Sequence, residues 1–281
     1  MILIKDVSYH VDGKSILKKV NLKLNKGKVY GILGPNGAGK TTLFKALLGA
    51  IKYEGKVIND DSNTLIGKLI EYPAFYPNLS CFENLKLHAS YAQLDDYQDI
   101  DSLLKLVGIF NAKNKKFKSL SMGMKQRLGV AKALMGNPNI LLLDEPTNGL
   151  DPMGIKEMRN LIEKEIRSKD RIVMISSHNL NEISHITDTL IFINNGKIIL
   201  EIENEDNVYI IGKLKEISSE QQEEITLLKN DKNENIAILS KKKFEEMSQN
   251  KTILIEEIQY VDLEKLYIEL MSLAVTEVKT I

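Results

Sequence analysis

The sequence predicts an α/β protein: a parallel-sheet core with an antiparallel β segment before it, a helical insertion within it and a small α+β appendage after it. Three observations carry this expectation. The apolar run Val29 to Leu33 passes through a glycine-rich turn straight into a helix-forming stretch. Short, evenly apolar runs at Ile140 to Leu143, Arg171 to Ser176 and Leu190 to Ile193 lack a polar face, as strands covered on both sides do. The first thirty residues instead alternate like half-exposed strands.

Taken in order, Ile2, Ile4 and Val7 and then Ile16, Val20, Leu22 and Leu24 mark strands, with turns at Asp12-Gly13 and Asn25-Lys26-Gly27. A dinucleotide-binding dehydrogenase fold would open directly on its glycine-rich turn, so this antiparallel start argues against it. From about 73 to 135 the pattern turns helical. Ser80 and Glu83 form a capping box ahead of Leu85, Leu87 and Ala89, and Ile100, Leu103, Leu104 and Val107 make a second apolar stripe. Asp151-Pro152 opens a helix with an N-cap and a proline at the first helical position, and Asn179 with Glu182 opens the next. Polarity rises after about 205, in 216–224 and 229–234. Strand-like runs then follow at Ile236 to Leu239 and Ile253 to Ile258, and a closing helix carries Leu263, Leu266, Tyr267 and Leu270. The expected division is 1–204 and 205–281, with no internal repeat.

The 281 residues suit one large domain with a smaller one attached. With 38 basic and 38 acidic residues there is no global attraction to nucleic acid or anionic lipid. The single cysteine, Cys81, cannot form an intramolecular disulfide, and the charged start Met1 to Asp6 does not read as a signal peptide. The expected compartment is the cytosol. No apolar run approaches the ~20 residues that span a bilayer, so any membrane role requires a partner.

Gly34-Pro35-Asn36-Gly37-Ala38-Gly39-Lys40-Thr41 fits the phosphate-binding loop G-x-x-x-x-G-K-[ST]. Glycines let backbone N–H groups turn in on phosphate oxygens, the helix beginning near Thr42 adds its positive end, and Lys40 adds a full charge. Thr41 is placed to hold Mg2+. Leu142-Leu143-Asp144-Glu145-Pro146 releases two carboxylates at a strand end, where open α/β sheets bind ligands. Asp144 suits the magnesium shell of the terminal phosphates, and Glu145 suits a general base facing the attacking water. Leu120 to Arg127 opens a further helix whose Ser121 and Gly123 offer a hydroxyl and an open backbone to an anion. Two phosphate sites in one chain imply two chains.

The segment Leu120-Ser121-Met122-Gly123-Met124-Lys125-Gln126-Arg127 resembles the signature of the ATP-binding cassette family, normally Leu-Ser-Gly-Gly-Gln, a basic residue and Gln-Arg. Other positions match the family in order over about 1–205. Asn148-Gly149-Leu150-Asp151 is similar to its D-loop, and His178, ending a strand, to its switch histidine at the γ-phosphate. His10, His88 and His185 have no such setting and read as surface or packing residues. The resemblance implies a RecA-like P-loop NTPase core and ATP with Mg2+. It also implies a head-to-tail pair of chains, identical or with a second ATPase subunit. In that pair the signature of one subunit closes on the nucleotide of the other, and separate transmembrane permease subunits are driven from the inner membrane face. The rival is a soluble cassette ATPase acting on nucleic acid or ribosomes. Such proteins usually carry two cassettes or a long coiled coil, whereas this chain has one phosphate loop and no sustained heptads.

Two departures from the family pattern stand out. Glu71 occupies the place of a glutamine that normally bridges magnesium and the membrane partner; it can ligate the metal but cannot donate a hydrogen bond. With Met122 and Met124 in the signature, this form resembles bacitracin and lantibiotic self-protection exporters. The residue expected to stack on adenine is Val11 rather than an aromatic, with Tyr9 two residues upstream, so either Tyr9 reaches the base or Val11 packs on it weakly. Phe75, Tyr76 and Phe82 fit either a groove for a transmembrane subunit or packing of the helical insertion. Lys113, Lys115, Lys116 and Lys118 read as a solvated loop, and Lys241 to Lys243 as an exposed helix start.

Overall fold

The computed structural model describes residues 1–61, 64–71, 74–94, 100–204, 208–217, 226–229, 234–250, 252–272 and 277–280. The expected start of the helical insertion at 73, the boundary at 205 and the polar stretch 218–224 lie outside the described residues.

Strands β1 (Ile2–Val11) and β2 (Lys14–Leu24) form a hairpin around Asp12-Gly13, and after β3 (Val29–Leu33) and helix α1 (Lys40–Leu47), β4 (Glu54–Asn59) adds to the far edge of β1. This is the expected antiparallel sheet, in the order β2-β1-β4. The principal sheet comprises β3, β5 (Ile66–Leu69), β6 (Ile140–Asp144), β7 (Ile172–Ser177), β8 (Thr189–Asn194) and β9 (Lys197–Glu203), in the order β5-β6-β7-β3-β8-β9. All are parallel except β9, which returns antiparallel to β8. Successive side chains alternate between two buried faces: Leu33, Leu143 and Ile175 join one apolar cluster, and Ile32, Leu142 and Met174 join the other beneath Leu43 and Phe44 of α1. That double covering is why these strands read as unbroken apolar runs.

The helical insertion contains α2 (Cys81–Tyr91), α3 (Ile100–Leu106) and α4 (Met122–Leu134). Both halves of the Ser80–Glu83 capping box form at the start of α2, and Ser121 Oγ accepts from Met124 N at the start of α4. Helix α4 lies directly on β5, where a Cβ at Gly67 would stand 1.9 Å from the Ala133 carbonyl oxygen. Only glycine permits that approach. Helix α5 (Pro152–Leu161) is capped by Asp151 and runs into a single π turn at Ile162–Ile166, and α6 (Leu180–Ile183) is capped by Asn179.

The remaining elements are β10 (Val208–Ile217), β11 (Thr226–Lys229), β12 (Asn235–Ser240), α7 (Lys241–Gln249), β13 (Ile253–Asp262), α8 (Leu263–Ser272) and β14 (Glu277–Thr280), with a sheet order of β13-β10-β12-β11-β14. The expected strands and closing helix correspond to β12, β13 and α8; β10, β11 and β14 are additional. Tyr209, Val261, Leu266 and Leu270 from this region join the same apolar cluster as Phe192, Ile199 and Leu200 of β8 and β9. No helix among the described residues is long and apolar enough to cross a membrane.

Candidate nucleotide site

Because β3, β6 and β7 run parallel, their carboxyl ends emerge at one edge, with Asp144 beside Ser176 and Leu33 beside Ser177. The glycine-rich loop leaves β3 at this edge. Gly37 and Gly39 adopt φ of +81° and +110°, a backbone region that other residues enter at a cost, and α1 begins at the next residue, Lys40. The loop thereby turns the unpaired N–H groups of the first turn, including those of Thr41 and Thr42, and the positive helix end toward its own hollow. Pro35, Asn36 and Ala38 shape the rest of the turn, with Ala38 N donating to Pro35 O at 3.1 Å. Lys40 is nearly buried, its Nζ 2.7 Å from Gly34 O and 3.3 Å from Pro35 O.

Two clusters form opposite the loop. In the first, Thr41 Oγ1 donates to Asp144 Oδ2 at 2.6 Å while Ser176 Oγ donates to Asp144 Oδ1 at 2.5 Å. In the second, Glu145 takes a φ of +50°, and its carboxylate lies between Lys40 Nζ at 3.3 Å and His178 Nδ1 at 2.7 Å. Four bonds fix the Glu145 backbone: its N–H donates to Ser176 Oγ at 2.9 Å and to Ser176 O at 3.2 Å, and its carbonyl accepts from Gln126 Nε2 at 3.2 Å and from Asn148 N at 3.1 Å. Beside them, Glu182 accepts from Thr147 Oγ1 and from Ser177 Oγ, tying the turn after β6 to α6.

The other sequence-predicted residues lie around these clusters. Glu71, at a φ of +58°, pairs with Lys45 Nζ at 2.6 Å. Lys45 stands one helical turn beyond Thr41 on α1. Ser121 and Gly123 border the Asn148 to Asp151 turn: a Cβ on Gly123 would meet Leu150 at 3.3 Å, and one on Gly149 would meet Met122 at 3.2 Å. Asp151 is occupied as the cap of α5, accepting from Gly154 N at 2.8 Å. Tyr9 packs on the apolar cluster under β1, whereas Val11 is 39% exposed at the hairpin tip.

Ser176, Gln126 and Lys45 carry site contacts that sequence reading alone did not find. A serine in an apolar strand has no distinguishing pattern until β7 is known to lie beside β6. Helix α8 also approaches the site. Burial raises the Tyr267 phenol above its ordinary pKa, the Glu145 carboxylate adds to the effect, and the ring packs 6.0 Å from Phe192.

The sequence profile described as "ABC transporter" matches residues 17–148. The lantibiotic transport ATP-binding protein SrtF of Streptococcus pyogenes is 42% identical over 210 residues, covering 72% of this chain and 91% of SrtF. The chain belongs to the ABC transporter family. The bacitracin transport ATP-binding protein BcrA of Enterococcus faecalis is 40% identical over 198 residues, covering 67% of this chain but 64% of BcrA, less than two-thirds of that relative's length. Among solved structures, the dimeric bacterial ABC transporter cassette MJ0796 superposes with a TM-score of 0.65 at 26% identity, over 73% of this chain and 99% of the cassette. The same cassette has been solved as a post-hydrolysis dimer bound to ADP and Pi. The fold is therefore that of an ABC ATPase cassette, a P-loop NTPase with an antiparallel β segment and a helical insertion. Thr41 and Asp144 present adjacent hard oxygens beside the loop, a donor set that would suit Mg2+.

Proposed function

We propose that this chain is the ATP-hydrolysing subunit of a bacterial ABC exporter, removing a peptide antibiotic of the bacitracin or lantibiotic kind through separate membrane subunits. Residues 1–204 form the cassette, and 205–281 are an accessory unit attached to it. The observation that carries the hydrolytic reading is Glu145, held by backbone bonds at a strand end with its carboxylate between Lys40 and His178. Held there, Glu145 accepts the proton of the attacking water, and Lys40 and His178 stabilise charge on the transferring γ-phosphoryl group. Thr41 and Asp144 hold Mg2+, which when bound neutralises charge on the terminal phosphates.

Ser121 and Gly123 sit beside the Asn148 to Asp151 turn, on a helix end free to cap the nucleotide of a second chain. Solved dimers of a related cassette support a pair of chains; we read that pair as head-to-tail, made of two copies or of this chain with a second ATPase subunit. The names of SrtF and BcrA support the cargo class, and with membrane subunits as partners the chain works at the inner face of the membrane.

Replacing Glu145 with glutamine keeps its size and removes the base. Steady hydrolysis should fall by about two orders of magnitude or more, while ATP now holds the dimer together on size exclusion. Turnover at the wild-type rate would rule out Glu145 as the base. For the cargo, a deletion strain should become more susceptible to bacitracin or a lantibiotic than its parent; unchanged susceptibility across a peptide-antibiotic panel would overturn that part.

A further inference from the structure

The lysine-rich segment between α3 and α4 is held in one backbone shape along its length. At the start of α2, Phe82 N donates to Lys113 O and Cys81 N to Lys115 O, each at 3.1 Å. Phe117 N donates to Leu79 O at 2.9 Å and Lys118 N to Pro77 O at 3.0 Å, while Ser119 N closes a turn on Lys116 O at 2.9 Å. These bonds satisfy the backbone and leave the side chains of Lys115, Lys116 and Lys118 exposed on a fixed support. The entropy of ordering this support is spent in folding, before any partner arrives.

Lysines from three elements meet here. Lys105 of α3 and Lys113 of the loop stand 5.0 and 5.4 Å over the Phe110 ring, and Lys125 of α4 stands 5.3 Å over Phe117. The described carboxylates among them are engaged: Asp101 pairs with Lys113 at 2.8 Å, and Glu83, within electrostatic reach of Lys116, accepts from Ser80 N at 2.7 Å. Lys115, Lys116 and Lys118 form no ion pair with a described residue. Like charges so grouped repel one another, and a negative surface relieves that repulsion. The chain as a whole is balanced at 38 basic and 38 acidic residues, so the patch is a local feature that would orient the molecule. Tyr76, 55% exposed, adjoins Pro77, whose carbonyl holds Lys118 N. An amphipathic ring thus stands beside the cations, a pairing that suits the level of lipid headgroups.

We propose that this patch rests directly on an anionic lipid surface, the headgroups of a bilayer, giving the chain a hold on the membrane separate from any protein partner. All its cations are lysines. Recognition of a nucleic-acid backbone by shape favours the planar fork of arginine, and the arginine nearest in sequence, Arg127, is spent on Val107 O and Glu157. A diffuse surface potential asks only for charge, and each lysine near the surface adds to the attraction. The Phe110 and Phe117 rings pack on the apolar core beneath lysines, so neither offers an open face for base stacking.

The test is co-sedimentation of the purified full chain with vesicles of phosphatidylcholine alone and of phosphatidylcholine with an equal part of phosphatidylglycerol. The chain should bind the anionic vesicles, leave the zwitterionic ones unbound, and be released as salt rises. Partitioning should fall about fivefold for each of Lys115→Gln, Lys116→Gln and Lys118→Gln. A control removes the same charge at the start of α7, with Lys241→Gln, Lys242→Gln and Lys243→Gln together, and should bind as the parent does. Melting temperature and ATP binding of all variants should match the parent, because the loop's backbone bonds are kept. No binding to anionic vesicles, equal binding to both kinds, or an equal loss in the α7 control overturns the proposal. A single-stranded RNA oligonucleotide that binds more tightly than the vesicles, through the same three lysines, overturns it in favour of nucleic acid. No membrane subunit is present in this measurement, so its failure leaves the transporter reading standing.

Discussion

At the residue scale the site turns on Ser176, whose hydroxyl donates to Asp144 and accepts from the Glu145 N–H. It is fully buried, so water cannot replace it. Ser176→Ala leaves a buried carboxylate oxygen short of a donor and should destabilise the chain by about 1–3 kcal/mol, read from urea unfolding. Hydrolysis should fall by more than the loss of folded protein explains, because both acidic side chains lose their positioning. The adenine contact is also decided at single residues. Tyr9 packs on the core while Val11 is exposed at the hairpin tip; on the reading that Val11 is the residue facing the base, GTP should compete with ATP within about an order of magnitude. Val11→Tyr should tighten ATP about two- to tenfold, the worth of one aromatic pair, measured by nucleotide titration; Tyr9→Ala should leave the ATP-to-GTP ratio unchanged.

At the element scale, capped helix starts were legible because capping is local. Ser80 with Glu83, Asp151 with Pro152, and Ser121 each act within one turn of the backbone they satisfy, and each forms as the sequence implies. The π turn at Ile162–Ile166 and the strand β10 carry no comparable local signal; β10 interrupts its apolar residues with Gly212, Lys213 and Lys215 and is held by pairing to β12 and β13. The packing of α2, α4 and β5 makes the helical insertion sensitive to acid. Burial and then Lys132 and Lys68 depress the folded-state pKa of His88 below its ordinary 6.5. The unfolded chain therefore takes up this proton first as pH falls. Stability is complete above about pH 6.5 and is lost as pH drops toward the folded-state value. Unfolding midpoints should decline from pH 8 to pH 5, and His88→Gln should flatten part of that decline; an identical slope in the variant would remove His88 as its source.

At the scale of the whole molecule, the C-terminal elements share an apolar cluster with the principal sheet, and Tyr267 packs on Phe192 within the electrostatic reach of Glu145. Removing 205–281 would expose Phe192, Ile199 and Leu200 along β8 and β9. The truncated chain should aggregate or melt at least about 5 °C lower, and Tyr267→Ala should shift the midpoint in the same direction by less. An unchanged melting temperature in the truncated chain would show the accessory unit to be independent of the cassette. The sequence expected an appendage here, but nothing in its residues indicated a shared core. That contact joins Leu266 and Leu270 to residues more than sixty positions earlier, and apolar periodicity says only that a face is buried, not against what.

By itself the sequence determined the chemistry-bearing pieces: the glycine loop with Lys40 and Thr41, the paired acids Asp144 and Glu145, the capped helix at Ser121, and the strand-end His178. Each is encoded within a few residues by spacing and backbone preference. Only the tertiary structure decided how they combine. Ser176 becomes a site residue because β7 lies in register with β6, Glu71 is drawn to Lys45 by the position of α1, and Tyr9 is drawn onto the apolar cluster by the hairpin's packing. The physical reason is that contacts across a parallel sheet join residues distant in the chain, and no local pattern fixes which strands become neighbours.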